Sequence, residues 1–376
     1  MKASILLAIC MAAALATAGE SAVICQMASW SVYRPDGGTF QIPSIDPSLC
    51  THGVYVFAGL DSSDQVESLD PWADLEAGGG LGGYAKFVAL KAINPSFKPL
   101  LGLGGWANSA VHFSAIAGNA TRRSNLASNV VAYLKKYQFE GIEIDWLYPL
   151  TANDKTNFPL LLSELRKAFD PEGFELIATV GSLAETIERS YDIVEMEKSL
   201  DYFVLLGYDY DGPWNLRTGH NAPLYLPEAN PLCVNASVTL FLDGGLTPGK
   251  LVIGIPGYGH TFTLVSEADN GIGADVIGVG DAGPWTYEAG ILSYNEFAVA
   301  SSEWTVQRDS LNQAPYAYKG NQWFSYDDET SIAFKAEYIV SKNLGGAALW
   351  TIDEDELAGD AFTLLRAINA GLAKRK

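Results

Sequence analysis

Apolar residues along this chain fall mainly into short continuous runs, each followed by a stretch with helical periodicity. Continuous apolar runs are typical of parallel strands that are covered on both faces. The pattern predicts eight strands, at Val23–Trp30, Gly53–Ala58, Pro99–Leu103, Gly141–Trp146, Glu175–Val180, Tyr202–Leu206, Leu251–Ile255 and Ala347–Trp350.

Helical segments separate these strands. The clearest covers Arg122–Tyr137, with its apolar residues on one face and Thr121 as the expected N-cap, and a second runs from about Asp154 to Phe169. Repeated strand-then-helix units predict an α/β protein with a (β/α)8 TIM barrel. The alternative is an open doubly wound sheet, but the Gly-rich stretch at residues 102–105 does not continue into the nucleotide-binding fingerprint of that fold.

The domain organisation follows from the spacing of the strands. About ninety residues separate the seventh and eighth strands, which is too many for one crossover, and this stretch is aromatic and rich in turn residues. We therefore expect a small α+β insertion at residues 262–335, beside the mouth of a barrel formed by residues 19–261 and 336–376.

The first residues have the features of a secretory signal. Lys2 precedes an apolar stretch that ends in the small residues Ala16-Thr17-Ala18, which predicts a signal peptide at residues 1–18 and an extracellular protein. No later apolar run is long enough to predict a membrane span.

Charge and composition exclude two further classes of protein. The chain has 44 acidic and 24 basic residues, a formal net charge of −20, and is 48% hydrophobic. This hydrophobic content excludes intrinsic disorder, and the negative charge argues against a nucleic-acid partner, since phosphate contacts need clustered Lys and Arg.

Cysteine usage predicts one disulfide. The mature chain keeps Cys25, Cys50 and Cys233, an odd number that indicates one pair in an oxidising compartment. Cys25 and Cys50 open and close the first strand-plus-helix unit and are the expected pair, which leaves Cys233 free or intermolecular. Asn119 and Asn235 each begin a glycosylation sequon. The four histidines are scattered, so we expect neither a metal site nor a cofactor.

Many candidate binding residues fall at or just after the predicted carboxyl ends of the strands, where barrel active sites lie. They are Trp30, Tyr33, Phe57, Trp106, Asp145, Tyr208, Asp209, Trp214, Tyr258, His260 and Trp350. A ring of aromatic side chains suits the apolar C–H faces of sugars. The alternative is that these rings simply pack in the core.

Several motifs in this set resemble one family. Residues 139–149, Phe-Glu-Gly-Ile-Glu-Ile-Asp-Trp-Leu-Tyr-Pro, resemble the F-D-G-x-D-x-D-W-E-Y-P signature of the family 18 glycoside hydrolases, the chitinases and their relatives. Segments similar to other family motifs are Leu103–Trp106, Gly207–Tyr210, Gly219–Tyr225 and Ile255–Phe262. The resemblance extends over nearly all of the mature chain.

The resemblance implies a substrate-assisted mechanism, in which a glutamic acid protonates the glycosidic oxygen while an aspartate and a tyrosine support the attacking acetamide. Asp145 and Tyr208 hold the two supporting positions here, but Leu147 occupies the position of the acid. A leucine cannot donate a proton, and general acid catalysis contributes about 10²–10⁴-fold. Glu143, four residues earlier on the strand, lies about 13 Å deeper in the barrel. We therefore expect no meaningful chitinase activity.

Other positions also depart from the family pattern. His260 stands where the family motif has arginine, and Gly207 replaces a small hydroxyl residue. Tyr294-Asn295-Glu296 resembles a family segment that lends a glutamate to the cleft wall, which makes Glu296 a candidate ligand contact.

Loss of the acid with retention of the aromatic residues is the pattern of chitinase-like lectins. The resemblance thus implies a secreted, monomeric protein that binds chitin or chitooligosaccharides without hydrolysis. One alternative is a growth-promoting or signalling factor that acts through a cell-surface receptor, as some arthropod chitinase-like proteins do. A second alternative is a weak residual chitinase.

Overall fold

The computed structural model describes residues 21–106, 110–227, 229–358 and 361–374. The signal peptide predicted at residues 1–18 lies outside these described residues.

Fifteen strands are found in this part of the chain. They are β1 Ala22–Ala28, β2 His52–Leu60, β3 Val66–Ser68, β4 Lys98–Gly104, β5 Gly141–Asp145, β6 Glu175–Val180, β7 Tyr202–Leu205, β8 Leu251–Pro256, β9 Tyr258–Leu264, β10 Val276–Val279, β11 Ile291–Ser293, β12 Thr305–Arg308, β13 Pro315–Lys319, β14 Gln322–Ser325 and β15 Gly346–Trp350.

Eight parallel strands close into a barrel. Their order is β1-β15-β8-β7-β6-β5-β4-β2, and β1 pairs with β2 to complete the ring, while β3 adds to β2 antiparallel. Each of the eight predicted strands is observed, with ends that differ by at most two residues. The predicted (β/α)8 barrel is therefore confirmed.

Most of the helices lie around the barrel, and one belongs to the insertion. They are α1 Pro71–Asp74, α2 Gly83–Ala89, α3 Ala110–Ala117, α4 Ala120–Tyr137, α5 Ala152–Phe169, α6 Ala184–Ser190, α7 Ile193–Glu197, α8 Val234–Asp243, α9 Tyr294–Ala300, α10 Glu329–Ser341 and α11 Thr363–Leu372. The cap predicted for α4 was wrong. Asn119, in an extended conformation, accepts the Arg122 N–H through its side chain at 3.1 Å, so Thr121 lies inside the helix.

The core has an inner and an outer part. Small and branched side chains such as Ile24, Val54 and Val252 fill the barrel interior, and a larger apolar layer lies between the strands and the helices. This arrangement explains the continuous apolar runs of the sequence, because each barrel strand is covered on both faces. Within the described ranges, no helix combines the length and apolar character needed to cross a membrane.

A second sheet is inserted between the seventh and eighth barrel strands, as predicted. Its strand order is β10-β9-β14-β13-β12, with β11 paired to β9, and all these pairs are antiparallel. β9 starts at Tyr258, four residues before the expected boundary at 262, and follows β8 after a single residue. The insertion therefore begins at the rim of the barrel and carries its first side chains into the site.

The predicted disulfide is present. Cys25 on β1 is bonded to Cys50, just before β2, with 5.9 Å between their Cα atoms. The bond ties the connection that follows β1 to the barrel. Cys233 is unpaired and buried.

Candidate active site at the mouth of the barrel

One continuous cleft lies at the carboxyl ends of the barrel strands. Its inner part, of about 590 Å³, is lined by residues that include Phe57, Asp70, Asp145, Leu147 and Tyr208. Its outer part, of about 640 Å³, is lined by residues that include Tyr33, Arg34, His260, Trp285, Glu288 and Glu354. Trp30, Trp106, Asp209, Tyr258 and Trp350 line both parts. We call this combined space the cleft.

Aromatic rings form the floor and one wall of the cleft. Trp30, Phe57 and Trp350 pack against one another, with ring centroids 5.9–6.4 Å apart. Trp30 is 43% exposed and Trp106 is 78% exposed. Flat rings that stay open to solvent can pack against apolar ligand faces. The alternative of simple core packing therefore does not describe these two residues.

The end of β5 brings Asp145 and Leu147 into the inner part of the cleft. Leu147 lines this part where the resemblance expects an acid. Asp145 is buried, and its Oδ1 atom has no hydrogen-bond partner. Burial, helped by the negative charge of Glu143, raises the pKa of Asp145 well above its usual range. Tyr208 is buried beside it and packs edge-on against Tyr258.

Glu143 lies inside the barrel, as the strand geometry predicts. Its side chain is fully buried and accepts hydrogen bonds from Gln26 Nε2 at 2.7 Å and Thr179 Oγ1 at 3.1 Å. Burial raises its pKa to about 7, although both hydrogen bonds act in the opposite direction. Both carboxylate oxygens thus have partners within the barrel interior.

Asp209 is fixed by two neighbours from β9. The Tyr258 hydroxyl donates to Asp209 Oδ1 at 2.5 Å, and His260 Nε2 lies 2.9 Å from the same oxygen. The Asp209 side chain is still about half exposed to the cleft. Trp214 packs edge-on against His260, with ring centroids 5.1 Å apart, but it is not among the described residues that line the cleft.

Glu296, a candidate ligand contact from the sequence, is not among the described residues that line the cleft. Its carboxylate is 2% exposed and accepts the backbone N–H groups of Trp285 at 2.6 Å and Thr286 at 2.8 Å. It also accepts from the backbone N–H and the hydroxyl of Ser293, both at 2.9 Å, in the capping box of α9. These donors hold the carboxylate inside the insertion. Its effect on the cleft is indirect, because it positions the loop that carries Trp285.

Sequence reasoning missed the charged residues of the outer cleft. Arg34 pairs with Asp353 at 2.5 Å and with Glu354 at 3.3 Å. Burial raises the pKa of Glu354, the charge of Asp353 adds to this effect, and Arg34 opposes it. Glu354 follows the eighth barrel strand, so the strand-end rule could have found it. Glu288 comes from the insertion, to which that rule does not apply.

The asparagines of the two glycosylation sequons differ in exposure. Asn119 is exposed at the start of α4, whereas Asn235 is half-buried in the first turn of α8 and accepts from the Tyr338 hydroxyl at 3.0 Å. In the described part of the chain, no group of three or more His, Cys, Asp or Glu is arranged to hold a metal ion.

Comparisons with known proteins agree with this arrangement. The profile of "Glycosyl hydrolases family 18" matches residues 22–355. Probable chitinase 2 of Drosophila melanogaster is 38% identical over 358 residues, which cover 91% of this chain and 73% of that protein.

Two solved structures extend the comparison. One is Ostrinia furnacalis Group II chitinase catalytic domain 2, in a glutamate-to-leucine mutant in complex with a chitooligosaccharide (36% identity, TM-score 0.88, covering 95% of this chain and 97% of that one). The other is human YKL-39, described as a pseudo-chitinase with retained chitooligosaccharide binding (32% identity, TM-score 0.87, covering 94% of this chain and 100% of that one). With a family profile over most of its length and a barrel of this kind, the chain belongs to glycosyl hydrolase family 18.

Proposed function

We propose that this protein is a secreted member of the family that binds chitooligosaccharides without cleaving them. The observation that carries the proposal is Leu147, a hydrocarbon side chain lining the inner cleft at the position of the family's proton donor. Without a group that protonates the leaving oxygen, hydrolysis loses about 10²–10⁴-fold in rate.

The remaining carboxyl groups near the cleft are poor substitutes for that donor. Glu143 is enclosed in the barrel, and Asp145 stands where the family uses an aspartate to support the acetamide. Asp209 accepts from Tyr258 and lies against His260. Glu354, in the outer cleft, is paired with Arg34. Glu143 is therefore buried away from the cleft, Asp209 and Glu354 are engaged with protein partners, and Asp145 is the group that would support the acetamide.

Retained binding is supported by the open aromatic residues of the cleft, Trp30 and Trp106 above all. It is also supported by two relatives. The Ostrinia furnacalis domain carries a glutamate-to-leucine mutation in its complex with a chitooligosaccharide, and human YKL-39 is a pseudo-chitinase that retains chitooligosaccharide binding. Secretion is supported by the signal-like residues 1–18 and by the Cys25–Cys50 disulfide, which is typical of oxidising compartments.

The test is a calorimetric titration of the purified protein with N-acetylchitopentaose, followed by an assay for new reducing ends. We expect saturable binding and no new reducing ends. Trp106→Ala should weaken binding by roughly 30-fold, because it removes an aromatic contact worth about 2 kcal/mol.

Phe334→Ala is the matched control, since Phe334 is a partly exposed ring on α10, outside the cleft. Equal loss in both variants would mean that the cleft rings are not the binding surface. Reducing ends formed by the native protein, and absent after heat denaturation, would contradict the non-hydrolysing part of the proposal.

A further inference from the structure

The cleft is strongly acidic. Among the described residues that line it, five carry carboxyl groups and one carries a guanidinium. The carboxyl groups belong to Asp70, Asp145, Asp209, Glu288 and Glu354, and the guanidinium belongs to Arg34. His260 is the other lining residue that could carry positive charge.

These two basic groups are already engaged. Arg34 lies against two carboxylates, with Asp353 at 2.5 Å and Glu354 at 3.3 Å. His260 lies 2.9 Å from Asp209 Oδ1. The local charge therefore stays negative, and the formal net charge of the whole chain, −20, has the same sign. A cleft with one sign of charge concentrates ligands of the opposite sign.

A second, independent observation points to a missing donor. Asp145 is 3% exposed and lines the inner part of the cleft, and its Oδ1 atom has no hydrogen-bond partner. A buried acceptor without a donor is unfavourable, so a ligand that supplies an N–H group there is favoured.

We propose that the cleft selects partially deacetylated chitooligosaccharides, in which some 2-acetamido groups are replaced by 2-ammonium groups, over fully acetylated ones. This inference rests on the proposed function and names the ligand class of the same cleft. An acetamide offers one N–H donor and no charge, whereas an ammonium offers three donors and a positive charge. The aromatic rings of the cleft would still pack against the sugar faces, because deacetylation leaves the C–H groups of the sugar ring unchanged.

The acid groups of the cleft are suited to a cationic ligand. Burial raises the pKa values of Asp145 and Glu354 in the empty cleft. A nearby positive charge favours the ionised carboxylate, and binding of an ammonium sugar should then release protons to the buffer.

The experiment compares two pentamers of equal length, fully acetylated and half-deacetylated, by calorimetry in mildly acidic buffer. We expect the half-deacetylated pentamer to bind about tenfold more tightly and to lose most of this advantage in high salt. Repeating the titration in buffers with different ionisation enthalpies measures proton release, which should occur only with the cationic ligand.

Variants distinguish the effect of charge in the cleft from the effect of the net charge of the whole protein. Glu354→Gln and the exposed Glu288→Gln should each reduce the preference for the cationic pentamer, whereas Glu185→Gln, on the exposed surface of α6, should leave it unchanged. An equal effect of all three variants, or no effect of either cleft variant, would overturn the inference.

The ligand comparison also separates this inference from the proposed function. If the acetylated pentamer binds and the half-deacetylated one binds no more tightly, the inference is wrong and the proposed function stands. If neither pentamer binds, the proposed function itself fails.

Discussion

A single side chain, Leu147, sets the chemistry expected of this barrel. It lines the inner cleft beside Asp145 and close to Tyr208, to which the resemblance assigns the family's supporting positions. Substrate-supporting groups and a proton donor act as a unit, and removing one member of such a unit costs much of the catalytic rate. The proposed loss of hydrolysis therefore rests on the residue at position 147.

Restoring the acid should restore little activity. We expect Leu147→Glu to release reducing ends from N-acetylchitopentaose at a rate about 10²-fold or more below that of an active family member, because His260 and Gly207 also depart from the family pattern. Leu147→Gln is the matched control, since its side chain has the same shape and cannot donate a catalytic proton. Rapid hydrolysis by the Leu147→Glu variant would show that His260 and Gly207 reduce activity less than expected.

Glu296, which the sequence makes a candidate ligand contact, has a structural role in the insertion. Its carboxylate joins the start of α9 to the backbone at Trp285 and Thr286, whose loop forms part of the outer cleft. The loop is therefore positioned by hydrogen bonds from within the insertion.

We expect Glu296→Ala to lower the free energy of unfolding by about 3 kcal/mol, because it removes a capping box and leaves buried N–H groups without an acceptor. Chemical denaturation measures the loss. Glu303→Ala, which removes an exposed side chain paired only with Lys319 in the described part of the insertion, should leave stability nearly unchanged. A Glu296→Ala variant of native stability with weakened ligand binding would instead restore the original expectation.

The disulfide belongs to the first strand and the connection that follows it. Cys25 and Cys50 are separated by 25 residues. By the chain-entropy relation, opening a loop of this length should cost about 3.5 kcal/mol of stability. We expect the double variant Cys25→Ala/Cys50→Ala to show this loss in denaturant unfolding. A reducing agent should lower the free energy of unfolding of the native protein towards the value of the double variant. A double variant as stable as the native chain would contradict this assignment.

The pH dependence of stability is a property of the whole molecule. Burial raises the pKa values of Glu143 and Asp355 in the folded protein to about 7, from ordinary values of 4.5 and 3.8. Between those values the folded state holds protons that the unfolded chain has released, so stability falls as pH rises from about 4 to 7. Glu175 has the opposite shift, because His52 and Lys98 lower its pKa, and its contribution is lost as pH falls below its ordinary value.

We therefore expect the melting temperature to be highest in mildly acidic buffer and to fall towards neutral pH. Thermal unfolding across this range measures the slope. Glu143→Gln should make the slope smaller, because the amide has no proton to lose, whereas the exposed Glu185→Gln should leave it unchanged. A melting temperature that rises steadily from pH 4 to 7 would contradict the buried, protonated state of these groups.

The sequence by itself determined the barrel and its disulfide, and it indicated that aromatic side chains lie at the barrel mouth. Strands covered on both faces must be apolar throughout, and the carboxyl ends of parallel strands meet at one face, so residues such as Trp30, Tyr208 and Trp350 could be placed together from their positions alone.

Only the tertiary structure decided which polar groups face the cleft and which are already satisfied. Glu296 is held inside the insertion by donors from Trp285, Thr286 and Ser293, and Arg34 is paired with carboxylates more than 300 positions away in the chain. Such partners depend on how the insertion and the last strand pack against the barrel, and no periodicity in the sequence records that packing. The acidity of the cleft follows from these contacts, which is why it emerged only with the fold.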